Sequence, residues 1–255
     1  MTARSPMNWL GLAAGLLMLA ALYMVFAWVP TEADQGIVQR IFYFHVPCAW
    51  VAFAGFGIVA IAGIFYLWLG NQIWDDLGYA AAELGMLFCT LVLVTGSIWA
   101  KPIWGAWWTW DSRLTTTLIL WLLYGGYLMM RAMAGDTPGA ARYGAVVGIA
   151  AALDVPVVIV SVRLWRTIHP AVLVTRNGGH GLEDPRMVVT LLVSMAAFTL
   201  FFAWLLCLRL ATLRMRTRLL EAARMLAFAE ANAADSRAAL RADSMIVQAA
   251  GPGAH

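Results

Sequence analysis

The sequence carries few charged residues, and this scarcity argues against a soluble protein. Only 12% of the 255 residues are Asp, Glu, Lys or Arg, whereas a soluble domain contains about a quarter. Hydrophobic residues make up 62% of the chain. The net charge of +3 is too small to indicate a nucleic-acid partner. The composition therefore favours an integral membrane protein that has the lipid bilayer as a partner.

The chain also lacks two kinds of motif. Its three cysteines, Cys48, Cys89 and Cys207, lie in or beside apolar runs and form no Cys-x-x-Cys pair. Neither a disulfide framework nor thiol chemistry is therefore indicated. The sequence contains no GxxxxGK[ST] and no GxGxxG loop, which excludes nucleotide binding through those loops. Any energy input would have to come from a partner.

Six apolar stretches are long enough to cross a bilayer, which takes about 20 residues. They cover residues 9–29, 46–69, 80–99, 115–131, 143–162 and 188–208. The first stretch has no small-residue cleavage site, so it indicates a retained span rather than a signal peptide. We therefore predict an all-α integral membrane protein in which residues 1–208 form a six-helix transmembrane domain.

Basic residues predict that both termini face the cytoplasm. Four arginines between residues 209 and 218 directly follow the last span, and cytoplasmic segments carry an excess of Lys and Arg. The 163–187 segment is basic too, so the dense run after the last span decides the orientation. Residues 209–255 are predicted to form a cytoplasmic helix and a disordered tail. The outer face then holds residues 30–45, 100–114 and 163–187.

The outer segment 100–114 contains a dense tryptophan cluster, WGAWWTWDSR at residues 104–113. Tryptophan is common in the aromatic belts of membrane proteins, but a belt is spread over many helices, and these four indoles share one loop. If the loop is helical, Trp104, Trp107 and Trp108 lie on one face and Trp110 points elsewhere. Such a face is a flat apolar platform suited to a large conjugated ring, and Gly105 would allow close approach of the backbone.

Two histidines are predicted at the same depth as this cluster. His45 (YFHVP) is expected just before or at a helix start, because Pro47 suits the first turn of a helix. His169 (RTIHP) is biased away from helical geometry by the proline that follows it. His180, in NGGHG, lies in a glycine-rich loop. Without a nearby thiolate, two imidazoles supply a zinc site poorly, but they suit the two axial positions of a haem.

Asp111 and Arg113 close the tryptophan stretch, and two interpretations stay open. In the first, they form a local pair that holds the loop or caps the following helix, with Asp111 near the helix N-terminus. In the second, Arg113 binds a propionate carboxylate through the bidentate contacts that arginine offers.

Together these residues resemble the tryptophan-rich WWD signature of the haem-handling membrane proteins of cytochrome c maturation. The resemblance includes the histidine in HVP before the motif, the histidine in TIH after it, and VTGSIWAKPIWG directly ahead of it. With six spans and 255 residues, the chain most resembles the heme exporter protein C family, CcmC. The resemblance covers residues 8–218.

The resemblance implies that haem b is held at the periplasmic surface of the bacterial inner membrane, with His45 and His169 as axial iron ligands. It implies delivery to the haem chaperone CcmE, beside the ABC transporter subunits CcmA and CcmB and the small protein CcmD. It implies a delivery protein that promotes covalent attachment of haem to its chaperone, rather than an enzyme with catalytic residues of its own. Further haem contacts would come from Trp104, Gly105, Trp107, Trp108, Trp110, Asp111 and Arg113.

Two other functions agree less well with the sequence. A permease subunit that exports haem or a small molecule needs polar residues within the membrane, where Asp154 is the only clear acid. We interpret Asp154, at a position where an amide is expected in the family, as a protonated acid that is hydrogen-bonded inside the bundle beside a kink at Pro156. A haem–cytochrome c lyase is disfavoured because such chains are longer and carry more spans and histidines.

Overall fold

The computed structural model describes residues 6–135, 137–165, 169, 182 and 184–249, and the regular elements of this part are all helical. Helix α1 (Pro6–Tyr23) continues into a π-helical turn, Met24–Trp28, and a 3-10 helix, Ile37–Ile41, leads directly into α2 (Phe42–Leu69). The α-helices are α1 (Pro6–Tyr23), α2 (Phe42–Leu69), α3 (Gln72–Trp104), α4 (Ser112–Ala134), α5 (Pro138–Ala152), α6 (Asp154–Leu164) and α7 (Pro185–Ala249).

Six helical segments within the described residues are long and apolar enough to cross a membrane, which confirms the predicted six-span all-α fold. They are Met7–Trp28, Ile37–Leu69, Gln72–Trp104, Ser112–Ala134, Pro138–Leu164 and Pro185–Glu230. Several are longer than predicted because their helices extend through charged residues near the ends, such as Asp75 and Lys101 in α3. The orientation of the termini stays a prediction.

Small residues allow α2 and α3 to pack with their backbones in close contact. A Cβ atom at Gly55 would lie 3.2 Å from the Cα of Gly85, and one at Gly85 would lie 2.8 Å from the Phe56 ring. Phe56 in turn stacks on Tyr124 of α4 with ring centres 3.8 Å apart. The Tyr124 hydroxyl donates to the carbonyl of Gly148 in α5, at 3.1 Å. These contacts join α2, α3, α4 and α5 in one core.

Among the described residues, two ion pairs link α3 to other helices. Arg131 of α4 binds both carboxylate oxygens of Asp75, with N···O distances of 2.6 and 2.8 Å. Arg209 of α7 contacts both oxygens of Glu83, at 2.5 and 2.7 Å. From the sequence, Arg209 contributes to the predicted membrane topology alone, as one of the four arginines after the last span. In the structure, Arg131 and Arg209 fix the positions of α4 and α7 against α3.

The predicted fifth span consists of two helices that meet at Leu153. Asp154 is the first residue of α6, so the interruption precedes Asp154 and does not lie at Pro156. Proline is tolerated there because Pro156 belongs to the first turn of α6. The buried Oδ2 of Asp154 has no hydrogen-bond partner within the described part of the chain. The expected hydrogen bond inside the bundle is therefore not made by this oxygen.

Residues 1–210 and residues 211–255 form two separate units. The first contains α1 to α6 and the apolar part of α7. In the second, helical structure extends to Ala249, and the apolar side chains of Leu219, Met225 and Phe228 are exposed. The predicted division at residue 208 and the cytoplasmic location of the C-terminal part stay predictions. The predicted tail beyond residue 249 lies outside the described residues.

Candidate functional site

A cavity of about 290 Å³ lies where the end of α3 meets the start of α4, with further walls from α2, α6 and α7. This volume is close to the lower limit of about 300 Å³ for small-molecule sites. Most of the lining side chains are apolar, with a few polar groups among them. Five of the nine predicted site residues line the cavity: His45, Trp104, Trp108, Arg113 and His169.

His45 is the fourth residue of α2 and is buried, with 8% of its surface exposed. The 3-10 helix before α2 places Pro47 inside a continuous helical segment, beyond the first turn in which the sequence placed it. The His45 Nδ1 lies 3.0 Å from the Thr95 hydroxyl oxygen, and that hydroxyl donates to the Leu91 carbonyl at 2.6 Å. Because the Thr95 hydroxyl already donates its proton to Leu91, the His45 Nδ1–H donates to the Thr95 oxygen. The lone pair of the ring then lies on Nε2.

The structure brings His169 to the same cavity. Its ring centre lies 6.5 Å from that of His45, with 35° between the ring planes. It lies 6.3 Å from the ring centre of Trp104, in an edge-to-face arrangement. Thus α2, α3 and the segment after α6 each supply one ring. His180, for which no role in the site is predicted, lies outside the described residues.

The tryptophan stretch is divided between the cavity and the surface. Helix α3 continues to Trp104 and ends at Gly105, whose φ of +75° is the left-handed conformation that favours glycine. The chain is not helical again until Ser112, so Trp107 and Trp108 do not share a helical face with Trp104. The side chains of Trp107 and Trp110 are exposed, at 59% and 77%. The cavity platform is therefore formed by two of the four predicted indoles.

The backbone conformation of Gly105 gives a reason for a glycine in addition to the predicted close approach of a ligand ring, which stays a prediction. A Cβ atom at this position would meet no other atom within 4 Å, so no close backbone contact inside the protein requires a glycine. A glycine is favoured here by the left-handed backbone conformation. In this conformation the Gly105 N–H donates to the Lys101 carbonyl at 3.0 Å and completes the last turn of α3. The Lys101 ammonium donates to the Gly105 carbonyl at 2.9 Å and holds the start of the loop.

The structure gives Asp111 and Arg113 different contacts, and the binding of a propionate by Arg113 stays a prediction. Asp111 caps α4, because its Oδ1 accepts from the Arg113 backbone N–H at 3.0 Å. The Arg113 side chain instead lies at the cavity, where Nη1 is 3.3 Å from Nδ1 of His169. Among the described residues that line the cavity, Arg113 is the only Lys or Arg. The cap thus supports the helix start that carries the arginine.

Three further residues contribute to the site and were not selected from the sequence. Trp99 packs edge-on against His45, with ring centres 5.8 Å apart, and its indole N–H donates to Gln35 at 3.0 Å. Thr95 orients the His45 ring. Thr95 and Trp99 both belong to VTGSIWAKPIWG, and their spacing of four residues places them on one face of α3. That shared face, next to the tryptophan stretch, is the feature that would have identified them.

Comparison with known proteins gives the family. The model of the family described as heme exporter protein C, CcmC, matches residues 1–225. The chain belongs to the heme exporter protein C family. It is 38% identical to heme exporter protein C of Bradyrhizobium diazoefficiens, over 93% of this chain and 90% of that protein. Identity is 35% with the Haemophilus influenzae protein, over 72% and 74%, and 31% with that of Escherichia coli K12, over 80% and 82%.

The CcmC match includes the cavity residues and most of the helical bundle. His45, Trp108, Arg113 and His169 all lie within residues 1–225, as does the Arg209–Glu83 pair that holds α7 against α3. Residues beyond 225 lie outside the match. The cavity is therefore a feature of the part of the chain that defines it as a CcmC-family protein.

Proposed function

We propose that this CcmC-family chain binds haem b in the cavity, with His45 and His169 as the two axial iron ligands, and delivers it to the haem chaperone CcmE. The site would face the periplasm, at the surface of the bacterial inner membrane. CcmA, CcmB and CcmD are the proposed partners in a membrane complex. The separation of the two imidazoles supports this proposal most strongly.

Two imidazoles that bind one iron from opposite sides have ring centres about 6 Å apart, since a bond between a metal and an imidazole nitrogen is about 2 Å long. The observed separation of 6.5 Å is close to this value. Within the described residues, no group of three or more His, Cys, Asp or Glu side chains is placed to hold a metal ion. Two histidines alone suit a metal whose other ligands come from a porphyrin.

The rest of the cavity fits the chemistry of a haem. Trp104 and Trp108 supply an apolar wall for the ring system, and Arg113 supplies a cation for a propionate. The Trp108 indole nitrogen is buried and has no hydrogen-bond partner in the described part of the chain. A buried donor of this kind is costly unless a ligand or water accepts from it. A propionate oxygen is a suitable acceptor.

The chain would position the haem and would not itself react. Bound haem would supply the vinyl group at which covalent attachment to a histidine of the chaperone takes place. His45, fixed by Thr95, would set the plane of the ring, and the apolar wall would exclude water from one side. Trp107 and Trp110 are exposed next to the cavity, and we propose that they contact the chaperone during transfer.

The full-length protein, purified in detergent and titrated with ferric and ferrous haem, tests this function. We expect the absorption spectrum of a low-spin haem with two imidazole ligands, and haem-dependent co-purification with CcmE. A haem spectrum without imidazole ligation would contradict the proposed site. Haem movement into liposomes that contain the purified chain alone would favour a permease instead.

Substitution of Gly96 by alanine should weaken haem binding by roughly tenfold, the lower end of the effects seen when a residue that orients a metal ligand is changed. A Cβ atom there would lie 3.1 Å from Cε1 of His45 and would displace the ring. Spectroscopic titration measures the change. Gly57→Ala is the matched control, because a Cβ atom at Gly57 meets no other atom within 4 Å. Equal affinities of the two variants would contradict this account of His45.

A further inference from the structure

The contact between Arg113 and His169 sets the protonation pattern of the His169 ring. The guanidinium carries only N–H donors and stays charged in proteins. Since Arg113 Nη1 lies 3.3 Å from Nδ1 of His169, that nitrogen accepts with its lone pair. The neutral ring then carries its proton on Nε2. His45 has the opposite pattern, with Nδ1–H donating to Thr95.

This pattern is incompatible with metal binding by His169. Ligation through Nδ1 needs the lone pair that Arg113 occupies. Ligation through Nε2 needs the proton to move to Nδ1, where an N–H would face the N–H of the guanidinium. In either case Arg113 has to leave Nδ1 before the imidazole can bind iron. Of the two proposed ligands, His45 is ready to bind as it stands, and His169 is not.

We propose that Arg113 holds His169 in a non-ligating state and releases it when a carboxylate of the incoming porphyrin binds the guanidinium. This inference rests on the proposed function, and it concerns how the second ligand becomes available. A carboxylate adds its own negative charge to the contact with the guanidinium and can accept two parallel N–H bonds from it, whereas the imidazole nitrogen is neutral and accepts only one. A propionate therefore competes well with a neutral imidazole for Arg113. The buried Trp108 N–H, in the same cavity, is available as a second donor to the carboxylate.

Arg113 would then be a positioning residue that determines specificity. It lies in the first turn of α4, which Asp111 caps, so its backbone is fixed while its long side chain can reorient. An iron porphyrin with free carboxylates frees His169 and gains two imidazole ligands. An iron porphyrin without carboxylates leaves Arg113 on His169 and gains only His45. The protein would thus recognise the carboxylates at the edge of the porphyrin before the second imidazole binds the iron.

The test compares iron protoporphyrin IX with its dimethyl ester, which has no carboxylate, in the full-length protein in detergent. Wild type should bind iron protoporphyrin IX, which has free carboxylates, at least about tenfold more tightly than the dimethyl ester. Its ester complex should show the high-spin spectrum of a single imidazole ligand. Arg113→Met keeps much of the stem and removes the donors. It should bind both porphyrins with similar affinity and should give a two-imidazole spectrum with the ester.

Tighter binding of the ester by Arg113→Met than by wild type is the decisive result, since a merely structural role for Arg113 predicts weaker binding of both porphyrins. Arg186→Met is the control, because Arg186 is exposed and paired with Asp184. It should retain the wild-type preference. An ester complex of wild type that already shows two imidazole ligands would overturn the inference while leaving the proposed function intact. Absence of imidazole ligation with either porphyrin, in wild type, would contradict both.

Discussion

Substitution of His45 by alanine should lower haem affinity at least about tenfold, which corresponds to about 1.4 kcal/mol, and should remove the two-imidazole spectrum. His45 is buried, and Thr95 orients its ring so that the Nε2 lone pair is available for iron. The apolar walls of the cavity are unchanged in the variant, so haem should still bind weakly through His169. Absorption spectra and titration of the purified variant measure both effects.

The same experiment on His169→Ala should give the same loss, because either imidazole alone leaves one axial position without a protein ligand. His180→Ala serves as the control, since His180 lies in a glycine-rich loop and no role in the site is predicted for it. Free imidazole should restore the two-imidazole spectrum of His45→Ala, because the substitution leaves space next to the haem face. Low-spin spectra retained by both His45→Ala and His169→Ala would show that the ligand assignment is wrong.

The fold was predictable from the sequence because one physical requirement dominates it. A helix that crosses a bilayer satisfies its backbone hydrogen bonds internally and presents apolar side chains over about 20 residues. Hydropathy detects the apolar stretch but not the helix ends. The second span thus begins at Ile37 rather than residue 46, and the third at Gln72 rather than residue 80, because helical geometry continues through the more polar residues near the membrane surface.

The residue types of the site were also predictable, but their arrangement was not. Composition and order selected His45, His169 and the tryptophan stretch. The loop conformation that separates Trp108 from Trp107 depends on where α3 ends, at Gly105, and on the Asp111 cap. Hydropathy and spacing contain no information about either. For the same reason, nothing in the sequence indicated that Arg113 contacts His169, since this contact joins residues from two different segments that are far apart in the chain.

The contacts of charged residues in the helices were not predictable from the sequence either. One of these contacts gives the largest expected effect on stability. Substitution of Arg131 by methionine should destabilise the protein by about 3–5 kcal/mol, the cost of removing one partner of a buried ion pair. The side chains of Arg131 and Asp75 are only 8% and 7% exposed. Methionine fills much of the space of arginine, but it leaves the Asp75 carboxylate buried without its cation. Unfolding of the purified protein in detergent, followed by circular dichroism, measures the loss.

The double variant Asp75→Leu/Arg131→Met distinguishes two contributions to the free energy of unfolding: the loss caused by leaving Asp75 unpaired, and the net stabilisation by the ion pair. Replacing both partners of a buried pair with apolar residues is often neutral or stabilising, so the double variant should regain most of the stability lost by Arg131→Met. Arg186→Ala, which breaks an exposed pair with Asp184, should unfold like wild type. If Arg131→Met also unfolds like wild type, water or lipid head groups reach Asp75. If the double variant is as unstable as Arg131→Met, side-chain packing rather than charge holds α3 and α4 together.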